Sequence, residues 1–96
     1  MKKILQIVFY KAINDEEKLL KYAELAGPAM IKAGGKFIAR GLPIAVKEDG
    51  KKTRTVVIEW NSIEDAEKGY NSPEYQEAIK SLDGSAIREF RYIETI

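Results

Sequence analysis

Histidine and cysteine are both missing from this 96-residue chain, so any chemistry has to run on carboxylates, lysine, arginine, tyrosine or hydroxyl groups. There is no imidazole to act as general base, haem ligand or zinc ligand, and no thiolate to act as nucleophile. We therefore expect neither metal, haem nor other cofactor. Two residues stand out instead. Counting outward from an Asp49-Gly50 hairpin turn pairs Lys47 with Lys52, Leu42 with Val57 and Arg40 with Glu59, which sets a cross-strand ion pair in an apolar sheet. A bulge near Gly41-Leu42-Pro43 would spoil that count. The pair reads either as a device that fixes register or as catalytic machinery. In the second case Arg40 offers its planar fork to a carboxylate or enolate, and Glu59 orients it or acts as base.

The aromatic residues extend this candidate site. The chain has five tyrosines and one tryptophan. Tyr22 falls on the apolar stripe of the first helix, and Tyr70 and Tyr75 flank a break in the second at Ser72, where free helix amides suit an anion. Tyr22, Arg40, Trp60, Tyr70, Ser72 and Tyr75 form the expected ligand-binding set. The alternative places the aromatic bodies in the core, with hydroxyls at its rim.

Positioning those residues requires a folded core, and the composition supplies one: 45% of residues are hydrophobic and 32% charged, as in ordinary globular chains. A chain this short is expected to form a single domain over residues 1–96. The net charge is +1, and the short basic clusters Lys2-Lys3 and Lys51-Lys52-Thr53-Arg54 read as solvated strand ends. No nucleic-acid partner is expected. The apolar run after Lys3 is too brief for a signal peptide or a bilayer span, and the lack of cysteine suits a reducing compartment, so the expected location is cytoplasmic with no membrane association.

Ile4 to Tyr10 reads as a first strand, rich in β-branched and aromatic residues. Asn14 followed by Glu17 reads as a capping box opening a helix. Pro28 should kink or restart that helix, and Gly34-Gly35 should end it. Lys36 to about Val46 and Lys52 to Trp60 read as two hairpin strands, with Pro43 confining the first to a sheet edge. Ser62 caps a second helix, Ser72-Pro73 breaks and restarts it, and Ala86 to Thr95 closes the chain as a fourth strand. Right-handed crossovers turn this order into an α+β, ferredoxin-like βαββαβ fold. Its four-stranded antiparallel sheet has the order 4-1-3-2, with both helices on one face. The other face also carries large apolar residues, which predicts a homodimer with the sheets packed face to face.

The segments Gly34-Gly35-Lys36-Phe37-Ile38-Ala39-Arg40-Gly41, Val57-Ile58-Glu59-Trp60-Asn61-Ser62 with Ala66, and Tyr70-Asn71-Ser72-Pro73-Glu74-Tyr75 resemble the domain-of-unknown-function 1330 family over nearly the whole chain. The resemblance implies a dimeric α+β barrel, the superfamily that includes antibiotic-biosynthesis monooxygenases, muconolactone isomerases and haem-binding members. It implies no reaction, and it marks Arg40, Gly41, Glu59, Ser72, Pro73 and Tyr75 as family-pattern positions. The leading reading is a homodimer that binds a small anionic organic metabolite between sheet and helices. A cofactor-free monooxygenase- or isomerase-like enzyme and a non-catalytic sensor or assembly module remain open beside it.

Overall fold

Side chains that alternate across a strand must serve two surfaces at once, and the first strand, β1 (Ile4–Ile13), does so. Gln6, Val8 and Tyr10 are buried on one face, while Leu5, Ile7 and Phe9 stay half-buried on the other. The computed structural model describes residues 2–96, so Met1 of the expected 1–96 domain lies outside the described residues. After β1 come α1 (Glu16–Lys32), β2 (Lys36–Gly41), β3 (Thr55–Trp60), α2 (Ile63–Asn71), α3 (Pro73–Leu82) and β4 (Ala86–Glu94). The sheet runs β2-β3-β1-β4 with every neighbouring pair antiparallel, which is the predicted order read from its opposite edge.

Helix α1 starts one residue later than the Asn14 cap predicts. The Asp15 carboxylate accepts from the amides of Glu17 and Lys18 at 3.1 and 3.2 Å, and its negative charge suits the helix N-terminus better than a neutral amide. Pro28 does not restart the helix, which runs on to Lys32. The proline lies on the exposed side, while Ala26, Ala29 and Met30 around it are buried and hold the turn to the core. Gly34, at φ +107°, then closes the helix, and the Gly35 amide donates back to the Met30 carbonyl at 2.9 Å.

The second helix breaks where its sequence says it should. Ser72 donates from Oγ to the Gly69 carbonyl at 2.8 Å and accepts from the Tyr75 amide at 3.2 Å. One side chain thus ends α2 and caps α3, with Pro73 at the first turn. The helices cover the Gln6-Val8-Tyr10 face, α2 pressing Gly69 against Trp60 and α1 and α3 bringing Tyr22 and Tyr75 to Arg88. Trp60 is among the most buried side chains, at 1% exposure, and its indole Nε1 donates to Gln6 Oε1 at 3.0 Å. Burying a glutamine is tolerable there because its carbonyl is spent on the indole.

The Asp49-Gly50 turn does not set the strand register. Gly50 donates to Lys47 at 2.9 Å, but the ladder stops at Gly41 and Thr55, leaving residues 42–54 as a long loop. A bulge between Phe37 and Ala39 shifts the pairing within β2. Arg40 therefore stands opposite Val56, and Glu59 stands opposite Lys36. The expected Arg40–Glu59 pair does not form, because a bulge moves side chains across the pleat. Arg40 joins Val56 on the helix-covered face, and Glu59 pairs across to Leu5 on the other. Pro43 lies beyond the strand end and is not part of the bulge.

Candidate functional site

Charged side chains in phase with a buried stripe are the unusual feature of the covered face. On β4, Arg88 alternates in step with Phe90 and Tyr92, and Arg54 lies just before β3 in step with Val56, Ile58 and Trp60. The Tyr10 amide donates to the Arg54 carbonyl at 2.9 Å, and Tyr10 stands opposite Arg88. Arg54, Tyr10 and Arg88 thus form a row across β3, β1 and β4, with Arg40 beside it on β2. All four line a cavity of about 40 Å³ between the sheet and the helices, closed by Tyr22 and Tyr75 among others.

Arg88 anchors this site. Its Nη1 donates to Tyr22 Oη at 2.8 Å and to Tyr75 Oη at 3.3 Å, and the two hydroxyls lie 2.7 Å apart. The guanidinium is 4.7 Å from the Phe90 ring centroid, 5.0 Å from that of Tyr22 and 5.9 Å from that of Tyr10. Arg54 sits 5.7 Å from the Tyr10 centroid and Arg40 5.0 Å from that of Phe37. Each guanidinium is therefore held against an aromatic ring, and among the described residues none of the three makes an ion pair with a carboxylate. Stacking fixes the plane of an arginine while leaving its in-plane N–H edge open to bidentate acceptors.

The polar groups around the cavity are unbalanced. No aspartate or glutamate lines it, Arg54 Nε is buried without a hydrogen-bond partner, and the Gln6 carbonyl is already taken by Trp60. Tyr22 and Tyr75 share one hydroxyl proton, so the second proton needs another acceptor. Such a site is rich in donors, and what it lacks is an anionic acceptor. Burial, followed by the neighbouring Tyr75, raises the Tyr22 pKa well above its ordinary value, although Arg88 opposes this. For Arg88 burial works against the charge, but the surrounding tyrosine oxygens outweigh it and hold its pKa above the ordinary range. At neutral pH the Tyr22 hydroxyl is thus neutral beside a fixed cation.

A pH prediction follows, with its sign fixed by linkage. Above 10.0, the ordinary tyrosine value, the unfolded chain releases the Tyr22 proton while the folded chain keeps it. The stability due to this group is therefore complete below that pH and lost as pH rises past it. Tyr92, pushed up to about 12 by burial and then by Glu67, acts in the same direction. Urea midpoints measured on the alkaline side should fall in the wild type and fall less in Tyr22→Phe; equal slopes would refute the assignment.

The sequence-derived set divides here. Tyr22, Tyr75 and Arg40 line the cavity, with Arg40 exposed at its rim. Trp60 is core, and Ser72 is spent on the helix break. Tyr70 packs on Tyr75 and Phe90, at centroid distances of 5.4 and 5.8 Å, without reaching the cavity lining. Glu59 faces the opposite side of the sheet. Arg88, Arg54, Tyr10 and Gln6 were not anticipated, although the phase of both arginines within their apolar stripes signals them. The larger hollow, a groove of about 900 Å³, lies under the 42–54 loop and includes Leu42, Pro43, Val46, Asp49 and Glu89. It shares Tyr10 and Arg40 with the arginine cavity and adds the carboxylates of Asp49 and Glu89.

Three comparisons place the fold. A dimeric ferredoxin-like protein of unknown function from Jannaschia sp. CCS1 superposes with a TM-score of 0.79 at 10% identity, covering 97% of this chain and 99% of that one. A protein of unknown function from Rhodopseudomonas palustris gives 0.76 at 18% identity, covering 98% and 82%. The hydroxynitrile lyase of Passiflora edulis gives 0.70 at 16% identity, covering 98% and 94%. Likeness at such identities carries the fold alone. No curated protein matches the chain. A family model described as Domain of unknown function (DUF1330) matches residues 4–96, and the chain belongs to that family.

Proposed function

We propose that this protein works as a homodimer that binds a small anionic organic molecule, whose acidic group enters the cavity between sheet and helices. The observation that carries this reading is the donor-rich lining: Arg40, Arg54 and Arg88 line, with tyrosine hydroxyls that already accept from Arg88, a space that no carboxylate among the described residues lines. An acidic ligand supplies the acceptors these groups lack, in the bidentate geometry arginine favours. The dimer is supported by the uncovered sheet face, where Leu5, Ile7, Phe9 and Val57 are only half-buried. The Jannaschia neighbour, described as dimeric, supports it too.

Catalysis is a second reading, favoured by the Arg88–Tyr22–Tyr75 chain of hydrogen bonds. Neutral hydroxyls backed by a cation stabilise an oxyanion or enolate as it forms. Glu59 has no part in this, because it lies on the other side of the sheet. The Passiflora neighbour, a hydroxynitrile lyase, makes an enzyme on this fold reasonable.

Thermal melts and calorimetric titration of the wild type with succinate and with uncharged succinamide test the binding reading. We expect the acid to raise the melting temperature and the amide to leave it unchanged. Equal responses, or none, would remove the proposal. Light scattering at micromolar concentration should give twice the 10.9 kDa chain mass, and a monomer would remove the dimer.

A further inference from the structure

We infer that the ligand carries two acidic groups, one held by Arg88 with the tyrosine pair and the other by Arg54 and Arg40. This rests on the anion-binding reading above and narrows its substrate class to short dicarboxylates.

The first argument is charge. Three guanidinium groups line one cavity with no acid among its described lining residues, and like charges sharing a partly buried site repel. A single carboxylate neutralises one of them. It offers two oxygens, and Arg88 with the neighbouring hydroxyls can occupy both. Arg54 Nε would then stay buried without an acceptor, and Arg40 would stay without a counterion.

Position gives the second argument. Arg88 and Arg54 flank Tyr10 from the two strands on either side of β1, so their backbones lie about 10 Å apart. Their guanidinium carbons lie 5.7 and 5.9 Å from the centroid of the Tyr10 ring between them, two donor positions that suit two acids joined by a short chain. The cavity is about 40 Å³, against roughly 30 Å³ for the liquid volume of one water. It takes a single acidic head at the Arg88 end and leaves the linker and second acid toward the rim, where Arg40 is exposed. The arginines are thus graded from a buried end to an open one, as a ligand entering head first requires.

Calorimetric titration of the wild-type protein with propionate, succinate and glutarate decides the matter. The better diacid should bind at least about tenfold tighter than propionate, the gain expected from one added charge-assisted contact. In Arg40→Met and Arg54→Met the ratio of diacid to monoacid affinity should collapse toward one. Arg40 is exposed, so its variant keeps the core and decides the question even if Arg54→Met does not fold. Propionate binding as tightly as both diacids would overturn the two-acid inference and leave anion binding standing. Failure of all three acids to bind would overturn the anion reading and this inference with it.

Discussion

Replacing Gly69 by alanine should cost this protein about 2 kcal/mol or more of folding stability, read as a lower urea midpoint, although alanine is the better helix former by about 1 kcal/mol. A Cβ built at this α2 position would lie 2.5 Å from Trp60 Cη2, 3.2 Å from Cζ3 and 3.3 Å from Cζ2. The indole cannot retreat easily. It is 1% exposed, its Nε1 is fixed to Gln6, and its other side meets Gly35, where a Cβ would approach Cζ2 to 2.9 Å. Crowding a close-packed core against a rigid ring forces backbone movement, so the clash outweighs propensity. Gly27 provides the contrast. It sits inside α1, where an added Cβ meets nothing within 4 Å, and Gly27→Ala should gain up to about 1 kcal/mol. Combining Gly69→Ala with Trp60→Phe should recover part of the loss, because the smaller ring leaves room, and a double-mutant cycle measures that coupling. A Gly69→Ala protein as stable as wild type would mean the indole is free to shift.

The same contact gives Trp60 a packing role in the core. Its bulk is used to seat α2 on the sheet, where Gly69 lies against the indole. The break itself was legible from Ser72-Pro73, because capping and the missing proline amide are local effects. Sheet order was legible too, since crossover handedness leaves few arrangements, whereas Pro43 lies beyond β2 and constrains none of them.

Register was not legible. It depends on where the ladder of β2 and β3 stops and on a bulge at Ile38, neither of which leaves a strong local mark. The resulting displacement moved Arg40 to the covered face and took Glu59 out of the site, so a pairing built by counting dissolved. The cavity arginines did leave a mark. Arg54 and Arg88 occupy inward positions in two-residue alternation with Val56 and Phe90, where a solvated charge has no place. Helix starts fell between these extremes: Asn14 and Asp15 both qualify as caps, and only the observed bonds to Glu17 and Lys18 decide.

Arg88→Met should separate binding from folding. The substitution keeps much of the apolar stem of the side chain and removes the charge that donates to Tyr22 and Tyr75. A contact with a charged partner is worth about 1.5–3 kcal/mol, so succinate affinity should fall at least about tenfold and by as much as about a hundredfold. Stability follows a different ledger. Arg88 has no carboxylate partner among the described residues, so burial of its charge works against folding and the tyrosine oxygens beside it offset that cost. The Tyr22–Tyr75 bond, at 2.7 Å, needs no arginine. The variant should therefore melt close to the wild-type temperature while losing its ligand, so that affinity and stability separate. Arg88→Lys should not rescue binding, because a point charge on a flexible stem cannot offer the planar fork that stacks on Phe90 and reaches two oxygens together. A strongly destabilised Arg88→Met protein would instead make the guanidinium a strut between β4 and the two tyrosine-bearing helices. Unchanged succinate affinity would take Arg88 out of the binding site.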